Sequence, residues 1–274
     1  MTIEAGVVGS PARHSLSPVI HGAWIEAAGL DARYEMFDLA PDDFGAFLRE
    51  ARARGLAGVN VTLPFKEEAL AAAGRASQAA RSAGAANLLL FSGGMVTADN
   101  TDGLGLLHAL KSQAGFAPAG HVVTLLGAGG AARGAAAALV GAGAREVRVV
   151  NRTRLRADDL ARAIGERVEV FEWSEMRAAL TGAELLINAT SRGLNGIDDL
   201  DIPIDALPAG APVMDMVYRP LETGLLARAR VRGHTVVDGL EMLIGQAGPS
   251  FEALFGQPPP KVDVRALALK ALGR

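Results

Sequence analysis

The sequence predicts a two-domain α/β protein, and three observations support this fold class. Its 274 residues exceed the length of most single domains and suffice for two. Short apolar runs alternate with longer helical patterns almost throughout, which is typical of parallel α/β sheets. The alternation forms two series, and the second is the more regular. We expect one α/β domain at 1–103, completed by 240–274, and a doubly wound parallel sheet at 104–239.

Four strand-like runs mark the first domain. They read EAGVVG (4–9), ARYEMFDL (32–39), GLAGVNVTL (55–63) and NLLLF (87–91). Helical patterns at 17–29 and 41–55 lie between the first three. The first of these helices has clear start and stop signals, because Ser17 suits the N-cap, Pro18 the first helical position and Gly29 the end.

The second domain follows a helical pattern at 101–116. Its six predicted strands are HVVTLLGA (121–128), EVRVVN (146–151), RVEVFE (167–172), AELLINAT (183–190), PVMDMVY (212–218) and HTVVDG (234–239). Six buried strands with helices between most of them predict a doubly wound sheet. Two last helices, at 240–256 and 261–273, flank the breaker QPPP and belong to no strand alternation. We expect them to return to the first domain and pack there.

Composition excludes several classes of function. The net charge is −3, which argues against a nucleic-acid or anionic-membrane partner for the whole surface. No cysteine is present, so disulfides and thiolate–metal sites are excluded, and the five histidines lack metal-ligand spacing. The amino terminus does not resemble a secretion signal, and no apolar run is long enough to span a membrane. We expect a cytoplasmic protein without a metal.

A glycine-rich loop predicts dinucleotide binding. The segment GAGGAA (127–132) follows the strand VVTLL and opens a helix, which is the context in which G-x-G-x-x-A is meaningful. Gly127 permits the tight turn, Gly129 lets the backbone approach a pyrophosphate, and Ala132 permits close packing of the helix on the sheet. The N–H groups of the helix start would bind that pyrophosphate. A plain strand–helix turn is the alternative.

The segment after the second strand of this domain indicates which dinucleotide binds. Asn151 lies 24 positions after Gly127, close to the offset at which an NAD site places a carboxylate. Here Asn151 is followed by Arg152, Thr153 and, further on, Arg156. Guanidinium groups can bind a 2′-phosphate that a carboxylate would repel, so we predict NADP. A solvated basic loop is the alternative, and Arg154 is expected to point to water.

Three polar clusters in the first domain lie where α/β sheets usually expose their sites. They are HSLSP (14–18), NVTLPFK (60–66) and DNTDG (99–103). Ser15 and Ser17 could donate to an anion, although simple capping by Ser17 is equally consistent. Lys66 could take part in a site, although a lysine on its own more often faces solvent. Asp102 could simply stabilise a helix dipole.

These three clusters belong to a set of eight motifs that resembles the shikimate dehydrogenase family in order and spacing across nearly the whole chain. The other five motifs are GAGGAA, NRTRLR, INATS, DMVY and DGLEMLIGQA. The resemblance implies NADP-dependent, reversible reduction of 3-dehydroshikimate to shikimate in aromatic amino-acid biosynthesis. It also implies an N-terminal α/β substrate domain, a Rossmann-type NADP domain, and a site in the cleft between them. A monomer and a homodimer are both compatible with it.

The resemblance also assigns roles to residues. It makes Lys66 the acid/base residue, paired with Asp102. Its substrate-binding residues are Ser15, Ser17, Asn60, Thr62, Asn87, Asp102, Tyr218 and Gln246. Its cofactor-binding residues are Gly127, Ala128, Gly129, Gly130, Ala131, Asn151, Arg152, Thr153, Arg156, Thr190, Met216 and Gly239. A lysine ammonium suits this chemistry, because hydride addition to a ketone develops negative charge on oxygen and a proton must arrive.

Two departures and three rival functions accompany this hypothesis. Leu88 replaces the threonine usual after Asn87, and Gln78 stands where an acidic residue is common.

A quinate/shikimate dehydrogenase using NAD would carry a carboxylate where this chain has the Thr153 region. A methylenetetrahydrofolate dehydrogenase does not suit HSLSP and DNTDG. A non-catalytic NADP-sensing protein would not need Lys66, Asp102 and Gln246 together.

Overall fold

The computed structural model describes residues 2–274 and contains two compact units. Of the described residues, one unit comprises 2–101 with Ile244–Arg274, and the other comprises Asp102–Leu243. Each unit has its own six-stranded sheet. The two-domain α/β fold class is confirmed. No helix among the described residues is long and apolar enough to cross a membrane.

Within residues 2–274 the sheets are built from twelve strands, with eleven α-helices between and around them. The strands are β1 (Ile3–Gly9), β2 (Ala32–Asp38), β3 (Gly58–Val61), β4 (Arg75–Ala76), β5 (Leu88–Ser92), β6 (Met95–Asp99), β7 (Val122–Leu126), β8 (Glu146–Val150), β9 (Val168–Phe171), β10 (Leu185–Asn188), β11 (Val213–Asp215) and β12 (Val236–Val237). The helices are α1 (Ser17–Ala28), α2 (Phe44–Ala53), α3 (Lys66–Ala71), α4 (Gln78–Ala83), α5 (Asp102–Ala114), α6 (Gly130–Gly141), α7 (Arg154–Ile164), α8 (Met176–Leu180), α9 (Gly224–Val231), α10 (Gly239–Phe255) and α11 (Val264–Ala271).

The sheet of the first unit is mixed rather than parallel throughout. Its strand order is β2-β1-β3-β5-β6-β4, and β5 runs antiparallel to both β3 and β6. A tight hairpin accounts for the antiparallel β5–β6 pair, since Gly93 and Gly94 join these strands with φ values of 57° and 76°. The apolar pattern predicted four strands here and missed the short β4 and the hairpin partner β6.

Helix α1 begins one residue earlier than its sequence suggested. Leu16 is its cap residue, and Ser17 is the first helical residue rather than the N-cap. The Ser15 hydroxyl accepts a hydrogen bond of 3.2 Å from the Ser17 backbone N–H, so Ser15 takes part of the capping role. Gly29 ends the helix with φ 62°, as expected of a left-handed C-cap.

The second unit contains the predicted doubly wound sheet. All six expected strands are present and parallel, in the order β12-β11-β10-β7-β8-β9. This is the order of a dinucleotide-binding sheet, whose ligand site lies at the carboxyl ends of the strands where the order reverses, between β7 and β10. Alanines of α6, such as Ala132 and Ala135, are fully buried and allow close packing against the sheet.

The C-terminal residues complete the first unit. Helix α10 is continuous from Gly239 to Phe255 and contains Pro249. Its Ser250 is fully buried and receives a hydrogen bond of 3.0 Å from Asn60 at the end of β3. Helix α11 packs against α1. The chain therefore contributes polar groups from residues 60 and 250 to one buried location.

Candidate functional site

The glycine loop in the second unit has the geometry of a phosphate-binding turn. Gly127 follows β7 with φ 111°, and a side-chain Cβ there would lie 3.0 Å from the Ala189 carbonyl oxygen, so glycine is required. Gly129 precedes α6 in an extended conformation, and a Cβ there would meet nothing within 4 Å. The space beside Gly129, at the start of α6, is therefore open to an anion.

The predicted phosphate-binding segment follows β8. Asn151 is half-buried, and its amide donates a hydrogen bond of 2.8 Å to the Thr153 carbonyl oxygen. Arg152, Thr153 and Arg156 are exposed, and neither arginine forms an ion pair with another residue in the range 2–274. Two guanidinium groups are thus available to a bound anion.

Arg154 differs from its neighbours. It was expected to point to water, but its guanidinium lies 3.4 Å from the Glu172 carboxylate and 3.7 Å from that of Asp158. The side chain remains half exposed, so these contacts contribute little to stability. They do occupy the guanidinium, and this separates Arg154 from Arg152 and Arg156.

Asn188 and Asp215 connect the ends of β10 and β11. The Asn188 Oδ1 accepts from the Thr190 backbone N–H at 3.0 Å and from its hydroxyl at 2.7 Å, while the Asn188 amide donates to Asp215 at 2.9 Å. Asp215 also accepts from the Thr223 hydroxyl at 2.7 Å and from the Val217 N–H at 3.0 Å. Burial raises the pKa of Asp215 to about 6, and these three donors oppose the rise.

Gly239 has a structural reason to be glycine. A Cβ at this first residue of α10 would collide with the carbonyl oxygens of Met216 and Val217. The helix start therefore lies directly against the segment after β11. Met216 and Tyr218 in that segment are half-buried.

Asp102 is the first residue of α5 and belongs to the second unit. Only 5% of its surface is exposed. A carboxylate in the first turn of a helix interacts favourably with the helix dipole. The position of Asp102 therefore fits both stabilisation of the helix dipole and a role in the functional site.

In the first unit, the predicted substrate residues Asn60, Asn87 and Gln246 lie in one buried network. Asn60 donates to the Asn87 carbonyl oxygen at 3.2 Å. The Asn87 amide donates to the Thr101 hydroxyl at 2.9 Å and to Gln246 Oε1 at 3.2 Å. The Thr101 N–H donates back to Asn87 Oδ1 at 2.8 Å. Side chains from β3, from the chain before β5 and from α10 are therefore held in fixed orientations.

The remaining predicted residues of this unit lie at strand ends and helix starts. Ser17 is buried, and Ser15 and Thr62 are half-buried. Lys66 is the half-buried first residue of α3, and its carbonyl oxygen accepts a hydrogen bond of 2.8 Å from the Ala86 N–H. This backbone bond ties the start of α3 to the residue before Asn87.

Three members of the buried network were not predicted from the sequence. Tyr34 donates to Asn60 Oδ1 at 2.8 Å, and Thr101 and Ser250 lie 3.1 Å apart through their hydroxyl oxygens. Thr101 is part of the motif DNTDG, so that motif contained a usable signal. Ser250 and Tyr34 lie in segments that show only ordinary helix and strand patterns.

The two departures from the family pattern lie in different settings. Leu88 is fully buried on β5 and pairs in register with Asn60. Gln78 is exposed and donates to the Ser82 hydroxyl at 3.0 Å.

No group of three or more metal-ligand side chains occurs among residues 2–274.

The sheet order and the glycine loop define a dinucleotide-binding α/β protein with a second α/β unit, a class that includes many NAD(P)-dependent oxidoreductases. Residues 7–89 match the family model described as the shikimate dehydrogenase substrate binding domain, and residues 110–200 match that described as shikimate / quinate 5-dehydrogenase. The chain belongs to the shikimate dehydrogenase family.

Individual relatives agree with this membership. A shikimate dehydrogenase (NADP(+)) from Caulobacter vibrioides is 55% identical over 99% of this chain and 96% of its own length. The shikimate 5-dehydrogenase of Thermus thermophilus, solved with NADP(H) and shikimate, is 38% identical with a TM-score of 0.87, covering 98% of this chain and 99% of that one. Quinate dehydrogenase from Corynebacterium glutamicum, solved with NAD, is 28% identical with a TM-score of 0.88, covering 100% of this chain and 99% of that one.

Proposed function

We propose that this protein catalyses the reversible, NADP-dependent reduction of 3-dehydroshikimate to shikimate in aromatic amino-acid biosynthesis. The observation that carries the proposal is the buried network of Asn60, Asn87 and Gln246, whose amides are fixed before any ligand binds. Fixed amides suit a small polyhydroxylated substrate, because their orientation costs no entropy on binding. In keeping with the lack of cysteine, we propose that it acts in the cytoplasm.

The coenzyme follows from the residues after β8. The accessible guanidinium groups of Arg152 and Arg156 supply paired donors for the 2′-phosphate of NADP, with the Thr153 hydroxyl beside them. The loop Gly127–Ala131 and the start of α6 bind the pyrophosphate. We also assign to coenzyme binding three residues that follow β10, β11 and β12, namely Thr190, Met216 and Gly239. The coenzyme supplies the hydride when it is bound.

We assign Lys66 as the residue that donates the proton to the ketone oxygen during reduction. As the ketone accepts a hydride, negative charge develops on its oxygen, and the lysine ammonium stabilises that charge and donates the proton. In the reverse direction the neutral amine takes the proton from the hydroxyl. We assign Asp102 as the carboxylate that works with Lys66, and its role in this proposal is to orient the hydroxyl and the amine.

The other substrate contacts divide by chemistry. Hydroxyl groups of Ser15 and Ser17 are the donors assigned to the substrate carboxylate. Side chains that can accept from or donate to ring hydroxyls are Asn60, Thr62, Asn87, Asp102, Tyr218 and Gln246. Leu88 is buried on β5, and its aliphatic side chain adds no hydrogen-bond donor or acceptor to the network.

Quinate oxidation with NAD is the second candidate function. It is favoured by the matched family description, which includes quinate, and by the structural likeness to the quinate dehydrogenase. Against it, no carboxylate stands at Asn151–Thr153, where an NAD-specific site would hold the ribose hydroxyls.

One set of assays separates these functions. Purified protein is mixed with shikimate or quinate and with NADP⁺ or NAD⁺, and coenzyme reduction is followed by absorbance. We expect the highest kcat/KM with shikimate and NADP⁺. Faster turnover of quinate with NAD⁺ would establish the second candidate, and lack of turnover in every pair would refute both and favour a coenzyme-sensing protein.

A further inference from the structure

The Tyr34 phenol lies between two residues assigned to the substrate. It donates a hydrogen bond of 2.8 Å to Asn60 Oδ1, and the Ser17 side chain is its second polar neighbour. Burial raises the pKa of Tyr34 well above its ordinary value, and the neighbouring Ser17 side chain opposes only part of the rise. The phenol is therefore a neutral donor at neutral pH.

Asn60 has almost no unused hydrogen-bonding capacity. Its two amide hydrogens go to the Asn87 carbonyl oxygen at 3.2 Å and to the Ser250 hydroxyl at 3.0 Å. Because a carbonyl oxygen can only accept, the Asn87 contact fixes which end of the Asn60 carboxamide carries nitrogen. Tyr34 occupies one lone pair of Oδ1. A single acceptor position on Oδ1 is left for a ligand.

An aromatic platform holds the phenol in place. The Tyr34 ring stacks on the His21 ring with 4.1 Å between centroids and 1° between planes. His21 is fully buried, contacts Trp24 edge-on, and lies beside Phe251 at 5.9 Å. Its ring nitrogens form no hydrogen bond with any residue in the described range, and burial lowers its pKa to about 3. His21 thus packs as a neutral aromatic ring rather than acting as a base.

We propose that Tyr34 is a positioning residue that presents Asn60 to the substrate as a hydrogen-bond acceptor only, so that the site selects a ring hydroxyl able to donate at that position. The proposal rests on the proposed function, because it takes Asn60 as a substrate contact. Replacing the hydroxyl by an acceptor such as fluorine should then be unfavourable, since two acceptors would face each other.

The first test is Tyr34→Phe, which removes the phenol oxygen and keeps the stacked ring. We expect KM for shikimate to rise about tenfold, in line with the loss of one hydrogen bond. KM for NADP⁺ should not change, and kcat should change much less than KM for shikimate. A merely structural role would instead lower the melting temperature and the active fraction while leaving KM for shikimate unchanged, and that result would overturn the proposal.

Thr124→Val is the matched control. The Thr124 hydroxyl is also buried and donates to a single acceptor, the Ala179 carbonyl oxygen, at 2.6 Å in the second unit. Its loss should reduce stability to a similar extent without changing KM for shikimate. An equal rise of KM in both variants would show that any buried hydroxyl has this effect and would overturn the proposal.

The second test measures binding of monofluoro analogues of shikimate, each with one ring hydroxyl replaced, by calorimetry. We expect one analogue to bind the wild type at least tenfold more weakly than shikimate, and Tyr34→Phe to weaken that analogue less than it weakens shikimate. Equal Tyr34→Phe effects on shikimate and every analogue would overturn the acceptor-only assignment. Failure of the proposed function looks different, because the wild type would then neither bind nor oxidise shikimate.

Discussion

Asn188 donates a hydrogen bond of 2.9 Å to the carboxylate of Asp215, and this bond connects the carboxyl ends of two neighbouring parallel strands. Asn188 also accepts from Thr190 through both the backbone N–H and the hydroxyl. Asp215 in turn accepts from the Val217 N–H. The two loops that carry Thr190 and Met216 are therefore fixed by one buried pair of side chains, although neither member of the pair was predicted as a site residue.

The first prediction concerns Asn188→Ala. Removing the amide deletes the support of the Thr190 loop and leaves the buried Asp215 with one donor fewer. We expect KM for NADP⁺ to rise about fivefold to tenfold, KM for shikimate to stay constant, and the free energy of unfolding to fall by about 1–3 kcal/mol. Steady-state kinetics and urea unfolding measure these quantities. If Thr124→Val, which also loses a buried hydrogen bond in this unit, raises KM for NADP⁺ equally, the loop-positioning role is wrong.

The second prediction concerns Asp215→Asn and the pH dependence of stability. Asp215 has a pKa of about 6 when folded, above its ordinary value of 3.8, so between these values the folded state binds a proton that the unfolded state has released. Wild-type stability should therefore fall relative to the variant as pH rises through this window, by at most about 1.4 kcal/mol per pH unit. Urea unfolding of both proteins measures the difference, and a constant difference across the window would contradict it.

The sequence was sufficient for the second unit because its signals are local. A buried parallel strand is a continuous apolar run, and the glycine loop needs only a few adjacent residues, so all six strands and the loop were predicted. The mixed sheet of the first unit was harder. β6 carries the sequence MVTAD and becomes a strand by pairing with β5 through the hairpin at Gly93–Gly94.

The candidate site shows the same limit. Ser15, Asn60 and Lys66 stand in recognisable motifs, whereas Ser250 and Tyr34 acquire their roles only from folding. Ser250 meets Asn60 across 190 positions of sequence, and Tyr34 meets it from β2, on the other side of β1 in the sheet. A residue whose partner is far away in sequence leaves no local pattern to identify it.

The third prediction concerns Lys66→Met, which removes the amine and keeps the length of the side chain. We expect kcat to fall about 10²–10⁴-fold, the usual contribution of a positioned general acid, with a much smaller change in KM for shikimate. Lys111→Met, at an exposed position in α5, is the control and should behave like the wild type. Normal kcat in Lys66→Met would refute the acid/base assignment.

The fourth prediction concerns the arginines after β8. The double variant Arg152→Ala/Arg156→Ala should raise KM for NADP⁺ about 100-fold, because charge-assisted hydrogen bonds to the 2′-phosphate are lost, and should leave kinetics with NAD⁺ unchanged. Arg154→Ala is a matched control, since that guanidinium contacts Glu172 and Asp158. If all the variants change KM for NADP⁺ alike, the effect is one of net charge and the specific assignment fails.

The last prediction concerns His21→Phe, which keeps an aromatic ring against Tyr34 and removes a group that can titrate. Burial lowers the pKa of His21 to about 3 from 6.5, so between these values the unfolded state binds a proton that the folded state does not. Wild-type stability should therefore fall as the pH is lowered from 6.5 towards 3, relative to the variant. The expected slope is at most about 1.4 kcal/mol per pH unit, and the difference should become constant above the unfolded pKa.

This dependence has the opposite sign to that of Asp215, because a buried base favours losing its proton on folding and a buried acid favours keeping it. Urea unfolding from acidic to neutral pH for the wild type, His21→Phe and Asp215→Asn therefore separates the two groups. Stability that declines in parallel for the wild type and His21→Phe would show that the ring takes up a proton in the folded protein as readily as in the unfolded chain. His21 would then carry a charge beneath Tyr34, and the neutral platform assigned to that phenol would be wrong.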